Sequence, residues 1–155
     1  SISMLSGTNI SLVHVGGGST KEIKTLQKHA SNKKVNLWVS PRLSSQQLSI
    51  LMKDALAIIS MAHKEPFGLT PIEAFSIGTP AIFVDDGGFR DSIIDGECGR
   101  LLPRHNYTKW HEALSECRDK KLREEWATAG RNRIIDLKLS PKEQAEKIHK
   151  LLQSQ

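Results

Sequence analysis

The chain has 155 residues, enough to bury a core as one domain without disulfides or metals. Its apolar share of 38% and charged share of 25% exclude a disordered polymer, and no run of about 18 apolar residues offers a membrane span. A net charge of +5 admits an anionic substrate, an anionic membrane surface or nucleic acid. Nucleic acid ranks last, because Trp38, Trp110 and Trp126 are not interleaved with basic residues as a stacking platform requires.

Ser1 to Asn9 reads as a helix end and loop. Ile10 to Val15 is alternating and β-branched and breaks at Gly16, Gly17 and Gly18, which predicts a first strand and a glycine-rich turn. Ser19 or Thr20 then caps a helix through Ile23, Leu26 and Ala30. The triple glycine is no dinucleotide fingerprint, since Lys21 stands where the third Gly or Ala belongs, and no P-loop, since the G-K-[S/T] end is absent. Val35 to Val39 is the second strand, followed by Ser40, Pro41 and Arg42. Ser44 or Ser45 caps the next helix, which carries Leu48, Leu51 and Met52.

The stretch from Leu56 to Asp86 holds a strand at Ala57 to Ile59, a polar turn, a helix opening near Thr70 and a strand at Ala81 to Val84. Glu65 precedes a proline and so stays extended. Thr70, Pro71 and Glu73 suit N-cap, N1 and N3 of a capping box. Gly78 is a left-handed cap candidate, and Pro80 opens the following strand. A helix starting here puts free N–H groups beside a strand tip, a field that favours phosphate.

Beyond Val84, D-D-G-G-F-R-D predicts a sharp turn and a short helix through Ile93 and Ile94 with Asp91 in its first turn. Gly99 to Leu102 is a short last strand. Helices follow from Tyr107 to about Arg118, from Lys120 to about Leu137, and from Pro141 to Leu152 behind an N-cap at Ser140, so the carboxy-terminal part, about 107–153, is helical. Cys98 and Cys117 form no C-x-x-C pair and suit a reducing cytoplasm as free thiols. Strands alternating with helices predict an α/β, doubly wound, Rossmann-like parallel sheet flanked by helices, whose ligands sit beyond the carboxyl ends of the strands. There the turns at 16–18, 40–42, 63–73 and 86–89 converge on one rim.

Glu65, Pro66, Phe67, Gly68 and Glu73 place two glutamates seven residues apart around a Phe-Gly pair. With the G-T-P at Gly78 to Pro80, the paired Gly87 and Gly88, and D-G-x-x-G-x-L-L-P from Asp95 to Pro103, this ordered series resembles the donor-binding domain of retaining GT-B glycosyltransferases of the group 1, family 4 type, from Ile10 onward. The resemblance implies transfer of a hexosyl group from a UDP- or GDP-linked sugar to a glycan, lipid or small molecule. Glu65 would then act at the reacting centre or on sugar hydroxyls, and Glu73 would bind the ribose diol. Phe67, Gly68, Leu69 and Thr70 would frame the diphosphate, Gly16 and Gly17 would border the nucleotide, and Pro41 and Arg42 would run along the base, with His63 beside the substrate. No metal is required.

Asp91 stands where the family commonly shows Glu, and its charge is kept. The family's donor domain begins with a further strand and a loop carrying an Arg and a Lys. Measured against it, the chain reads as a single donor-binding domain, 1–155, truncated at its amino end. It lacks the first strand of the sheet and the amino-terminal acceptor domain through which peripheral membrane association would arise. The fragment alone is then expected to be inactive and cytoplasmic. Two other readings stay open: a non-catalytic sugar-nucleotide binding or regulatory module, and a nicotinamide-dependent enzyme, the latter disfavoured because Ser40 stands where an acid would end the second strand.

Overall fold

The computed structural model describes residues 2–140, 142–146 and 149. A short 3-10 helix at Ile2–Leu5 leads to β1 (Leu12–Val15), α1 (Thr20–Asn32), β2 (Leu37–Ser40), α2 (Ser45–Asp54), β3 (Ile58–Ser60), α3 (Leu69–Ile77), β4 (Ala81–Val84), α4 (Phe89–Ser92), β5 (Gly99–Leu102), α5 (Tyr107–Glu116) and α6 (Lys120–Leu137). This is the expected α/β alternation with every strand pair parallel. Of the helix expected from Pro141 to Leu152, residues 142–146 and 149 are described and are helical, and the rest lies outside the described residues. Its cap is present: Ser140 and Glu143 exchange backbone-to-side-chain hydrogen bonds of 3.2 Å.

Local rules account for the element boundaries. Ser19 and Ser44 each close a capping box, with Glu22 and Gln47 at N3, which settles where α1 and α2 begin. Gly78 takes the left-handed conformation that ends α3, at φ +86°. β1 and β2 start two residues later than expected. α4 stops at Ser92 rather than Ile94, because Ile93 is already extended.

The sheet is interrupted. β1 pairs with β2, β3 pairs with β4 and β4 with β5, and no ladder joins the two groups among the described residues. Between them runs a cleft of about 1280 Å³ lined on one side by Leu12 to Val15 and on the other by Ile58 to Ser60. The gap thus falls between the first and third strands of the chain, and the inner edges of β1 and β3 face into it.

The three-stranded group is the firm half. β4, the run Ala81-Ile82-Phe83-Val84, is buried at every position, as a central parallel strand covered on both faces must be. Phe83 meets Phe89 edge-to-face at 4.8 Å between ring centroids. On the helical side Phe75 of α3 is fully buried against α6, where a Cβ on Gly130 would lie 2.7 Å from its ring. Only glycine lets these two helices approach so closely. Trp110 of α5, also fully buried, donates its indole N–H to Pro103 O at 3.1 Å.

Because Phe75 is fully buried and closely packed against Gly130, Phe75→Ala should cost about 3–5 kcal/mol. Urea unfolding will show this as a lower midpoint at unchanged slope. A shift in midpoint worth under about 1 kcal/mol would contradict the packing described.

Candidate functional site

Two turns leave neighbouring strands on the same rim and are packed backbone to backbone. The first, residues 61–68, follows β3, and the second, residues 85–88, follows β4. Gly88 N–H donates to Glu65 O at 2.8 Å. A Cβ on Gly87 would lie 2.5 Å from Glu65 O, and one on Gly88 would lie 2.4 Å from Phe67 Cα. Gly68 sits in the same contact, where a Cβ would meet the Phe89 ring at 2.7 Å, and its φ of +78° is itself a glycine conformation. The fully buried Ser92 hydroxyl lies 3.3 Å from the carbonyls of both Phe67 and Gly68. The Glu-Pro-Phe-Gly turn is therefore held in one shape by its neighbour.

That shape sets how α3 begins, and it corrects an expectation. Thr70 is not the N-cap and makes no capping box with Glu73. Gly68 occupies the cap position with no side-chain cap, and α3 starts at Leu69. The left-handed turn at Gly68 carries the chain into the helix two residues early, and Pro71 still falls in the first turn, where its missing N–H costs nothing. The amides of Leu69 and Thr70 thus open the helix uncapped, at the positive end of its dipole. Glu73 is exposed in the second turn, and its carboxylate makes no hydrogen bond or ion pair.

The structure brings part of the expected constellation together. Gly16, Arg42, Thr70 and Glu73 line the same cleft, at the end where the strands finish. At 1280 Å³ the cleft exceeds the roughly 300–1,000 Å³ of an ordinary ligand pocket, because it runs down through the sheet gap as well. Gly17 follows Gly16 at φ +72°, with its carbonyl 3.0 Å from the His14 ring. Pro41 and Leu69 are exposed beside the rim, Phe67 is 37% exposed, and Glu65 is half-buried with no partner for its carboxylate. Among the described residues no group of three metal-ligating side chains gathers.

His63 has a partner that the sequence did not reveal. Its Nδ1 lies 2.7 Å from Asp86 Oδ2, and Arg104 Nη2 donates to the same oxygen at 2.9 Å. Asp86 was legible only as part of a turn, and Arg104 only as one charge among many on the helical side. The His63 hydrogen bond, with Arg104 adding to it, holds the Asp86 carboxyl below the usual carboxylate range.

A family model described as "Glycosyl transferases group 1" matches residues 1–133. Among curated relatives, the D-inositol 3-phosphate glycosyltransferase of Paenarthrobacter aurescens is 30% identical over 79 residues, covering 51% of this chain and 19% of that protein. Sucrose-phosphate synthase from Thermosynechococcus elongatus superposes with a TM-score of 0.83 at 22% identity, over 99% of this chain and 41% of that one. HepE from Anabaena, solved in complex with UDP, gives 0.73 at 19% identity, over 99% and 44%. These likenesses establish the fold, and the chain spans less than half the length of each of these three proteins.

Gly88→Ala forces a methyl into the Phe67 backbone and should lose about 1–3 kcal/mol, read by calorimetric melting. An unchanged melting temperature would show that the two turns are not in contact. Asp86 binds its proton less readily folded than unfolded, so its share of stability is complete above an unfolded pKa of about 3.9 and fades as pH falls through the lower folded value. The stability gap between the wild-type chain and Asp86→Asn should accordingly narrow as pH drops below about 4. A gap that stays constant in urea melts across that range would rule out the depressed carboxyl.

Proposed function

Because the chain belongs to the group 1 glycosyltransferase family, we propose that it is the donor-binding half of a retaining glycosyltransferase, holding a nucleotide diphosphate sugar by its pyrophosphate at the start of α3. The observation that carries this reading is Glu73. Freed of any capping duty, it stands with Thr70, Gly16 and Arg42 around one cleft at the strand ends. A carboxylate with no structural partner beside an open helix start suits a diol next to a phosphate group.

In this reading the uncapped amides around Gly68, Leu69 and Thr70 take the diphosphate, and they stabilise the charge that grows on it as the sugar leaves. Two carboxylates near an anion are unfavourable until each accepts hydroxyl hydrogen bonds, which contribute roughly 1.5–3 kcal/mol when charge-assisted. Glu73 accepts from the ribose diol, and Glu65 from the sugar near its anomeric carbon. Phe67 and His63 flank the sugar side, while Gly16, Gly17, Pro41 and Arg42 border the nucleoside. The solved complex of HepE with UDP supports a uridine nucleotide as first probe, with a guanosine nucleotide as its alternative.

The acceptor, a glycan, lipid or small molecule, would be held by an amino-terminal domain outside this chain. The reaction needs no metal in this scheme. The complete enzyme would work in the cytoplasm or at a membrane surface, and this chain alone would bind donor without turning it over.

Titration of the chain against UDP- and GDP-linked sugars by calorimetry tests the reading. Glu73→Gln should weaken the best ligand about tenfold, one lost charge-assisted hydrogen bond, at an unchanged melting temperature. Unchanged affinity, or a loss of stability in its place, would remove Glu73 from the site. In the full-length enzyme Glu65→Ala should abolish most turnover, and normal turnover would refute its role.

A further inference from the structure

We propose that Arg104 is the positioning residue for Glu65, acting through the turn that follows β3; this rests on the donor-site reading above. Arg104 comes two residues after β5 and reaches back past β4 to the end of β3. Its Nη1 donates to Met61 O at 2.6 Å, and its Nη2 donates to Ala62 O at 3.1 Å and to Asp86 Oδ2 at 2.9 Å. One planar guanidinium thus ties together the exits of all three strands of the firm half-sheet. His63 Nδ1 completes the cluster on the Asp86 carboxylate. The side chains of Arg104 and Asp86 are 28% and 25% exposed, so the pair is sheltered from the screening that makes surface ion pairs weak. A lysine cannot reproduce it, because two carbonyls and a carboxylate need the fixed fork of donors.

The consequence falls on Glu65. Its side chain has no partner, so only its main chain fixes it: Gly88 N–H on its carbonyl and, on the amino side, the clamp on Met61 and Ala62 transmitted through His63 and Lys64. Lys64 is left-handed at φ +56°, a strained setting for a lysine that the clamped turn maintains. Gly68 is held in addition by Phe89 and Ser92. Both ends of the turn share the contact with Gly87 and Gly88, whereas the Arg104 clamp bears only on the amino side of Glu65.

This asymmetry makes the role testable in the 155-residue chain. Amide hydrogen exchange in Arg104→Ala should accelerate at Ala62, His63, Lys64 and Glu65 and stay as in the wild type at Gly68, Leu69 and Thr70. Affinity for UDP-glucose and UDP-N-acetylglucosamine should fall about tenfold while affinity for UDP stays unchanged, and the fall should vanish in a Glu65→Ala background. Arg104→Lys should behave like Arg104→Ala, and it carries the comparison should the alanine variant fail to fold. Unchanged exchange at Ala62 to Glu65, equal losses for UDP and its sugars, or additive losses with Glu65→Ala would each overturn the assignment. A wild-type chain that binds no nucleotide sugar would overturn the functional reading instead, and the exchange pattern would still decide the clamp.

Discussion

Two polypeptide turns occupy almost the same space at the tips of β3 and β4, and they can do so only because Gly87 and Gly88 carry no side chain. A Cβ at Gly88 would sit 2.4 Å from the backbone of Phe67. The rest of the rim follows from that contact. It fixes the Glu-Pro-Phe-Gly turn, the turn delivers Gly68 in a left-handed conformation, and that conformation starts α3 without a capping side chain. The helix consequently presents bare amides at the sheet edge where a doubly wound fold receives its ligands. Few contacts on this edge are adjustable, which is how a ligand site gains geometric definition from a backbone rather than from long side chains.

Around this contact the molecule divides its labour. The half-sheet of β3, β4 and β5 is bound into a buried core by Phe75, Phe83, Phe89 and Trp110, and it carries the turns that hold both glutamates in place. The half-sheet of β1 and β2 stands across the cleft and contributes Gly16 and Arg42. The cleft has two parts along its length: at the strand ends it is lined by Gly16, Arg42, Thr70 and Glu73, and deeper down it is the gap between two unpaired parallel edges. Charge is distributed along the same lines. The excess of cations is spread over the helical surface, whereas the rim pairs Arg104 with Asp86 and Arg90 with Asp85.

Much of this was legible in the amino-acid order. The apolar run Ala81 to Val84, the left-handed cap at Gly78 and the serine caps of α1 and α2 were readable because each is a local signal with a local cause. Glu65, Phe67, Gly68, Gly87 and Gly88 could be singled out because the ordered series they belong to resembles the glycosyltransferase donor domain. The cap of α3 could not, since Thr70-Pro71-x-Glu73 satisfies every local rule for a capping box, and a tertiary contact moves the helix start forward to Leu69. The contacts of Arg104, Asp86 and Ser92 were unreadable for a related reason. Their partners lie 18 to 43 residues away, and no periodicity encodes a side chain that reaches across two strands.

The central claim is spatial: the pyrophosphate of a nucleotide sugar lies on the first-turn amides of α3, between Glu65 and Glu73. Nitrogen-15 shift mapping of the chain during UDP addition tests it most directly. The account predicts that the largest displacements fall on Gly68, Leu69 and Thr70, with Gly16 following from across the cleft. Saturable displacements confined to other residues, with those four amides unmoved, would contradict it.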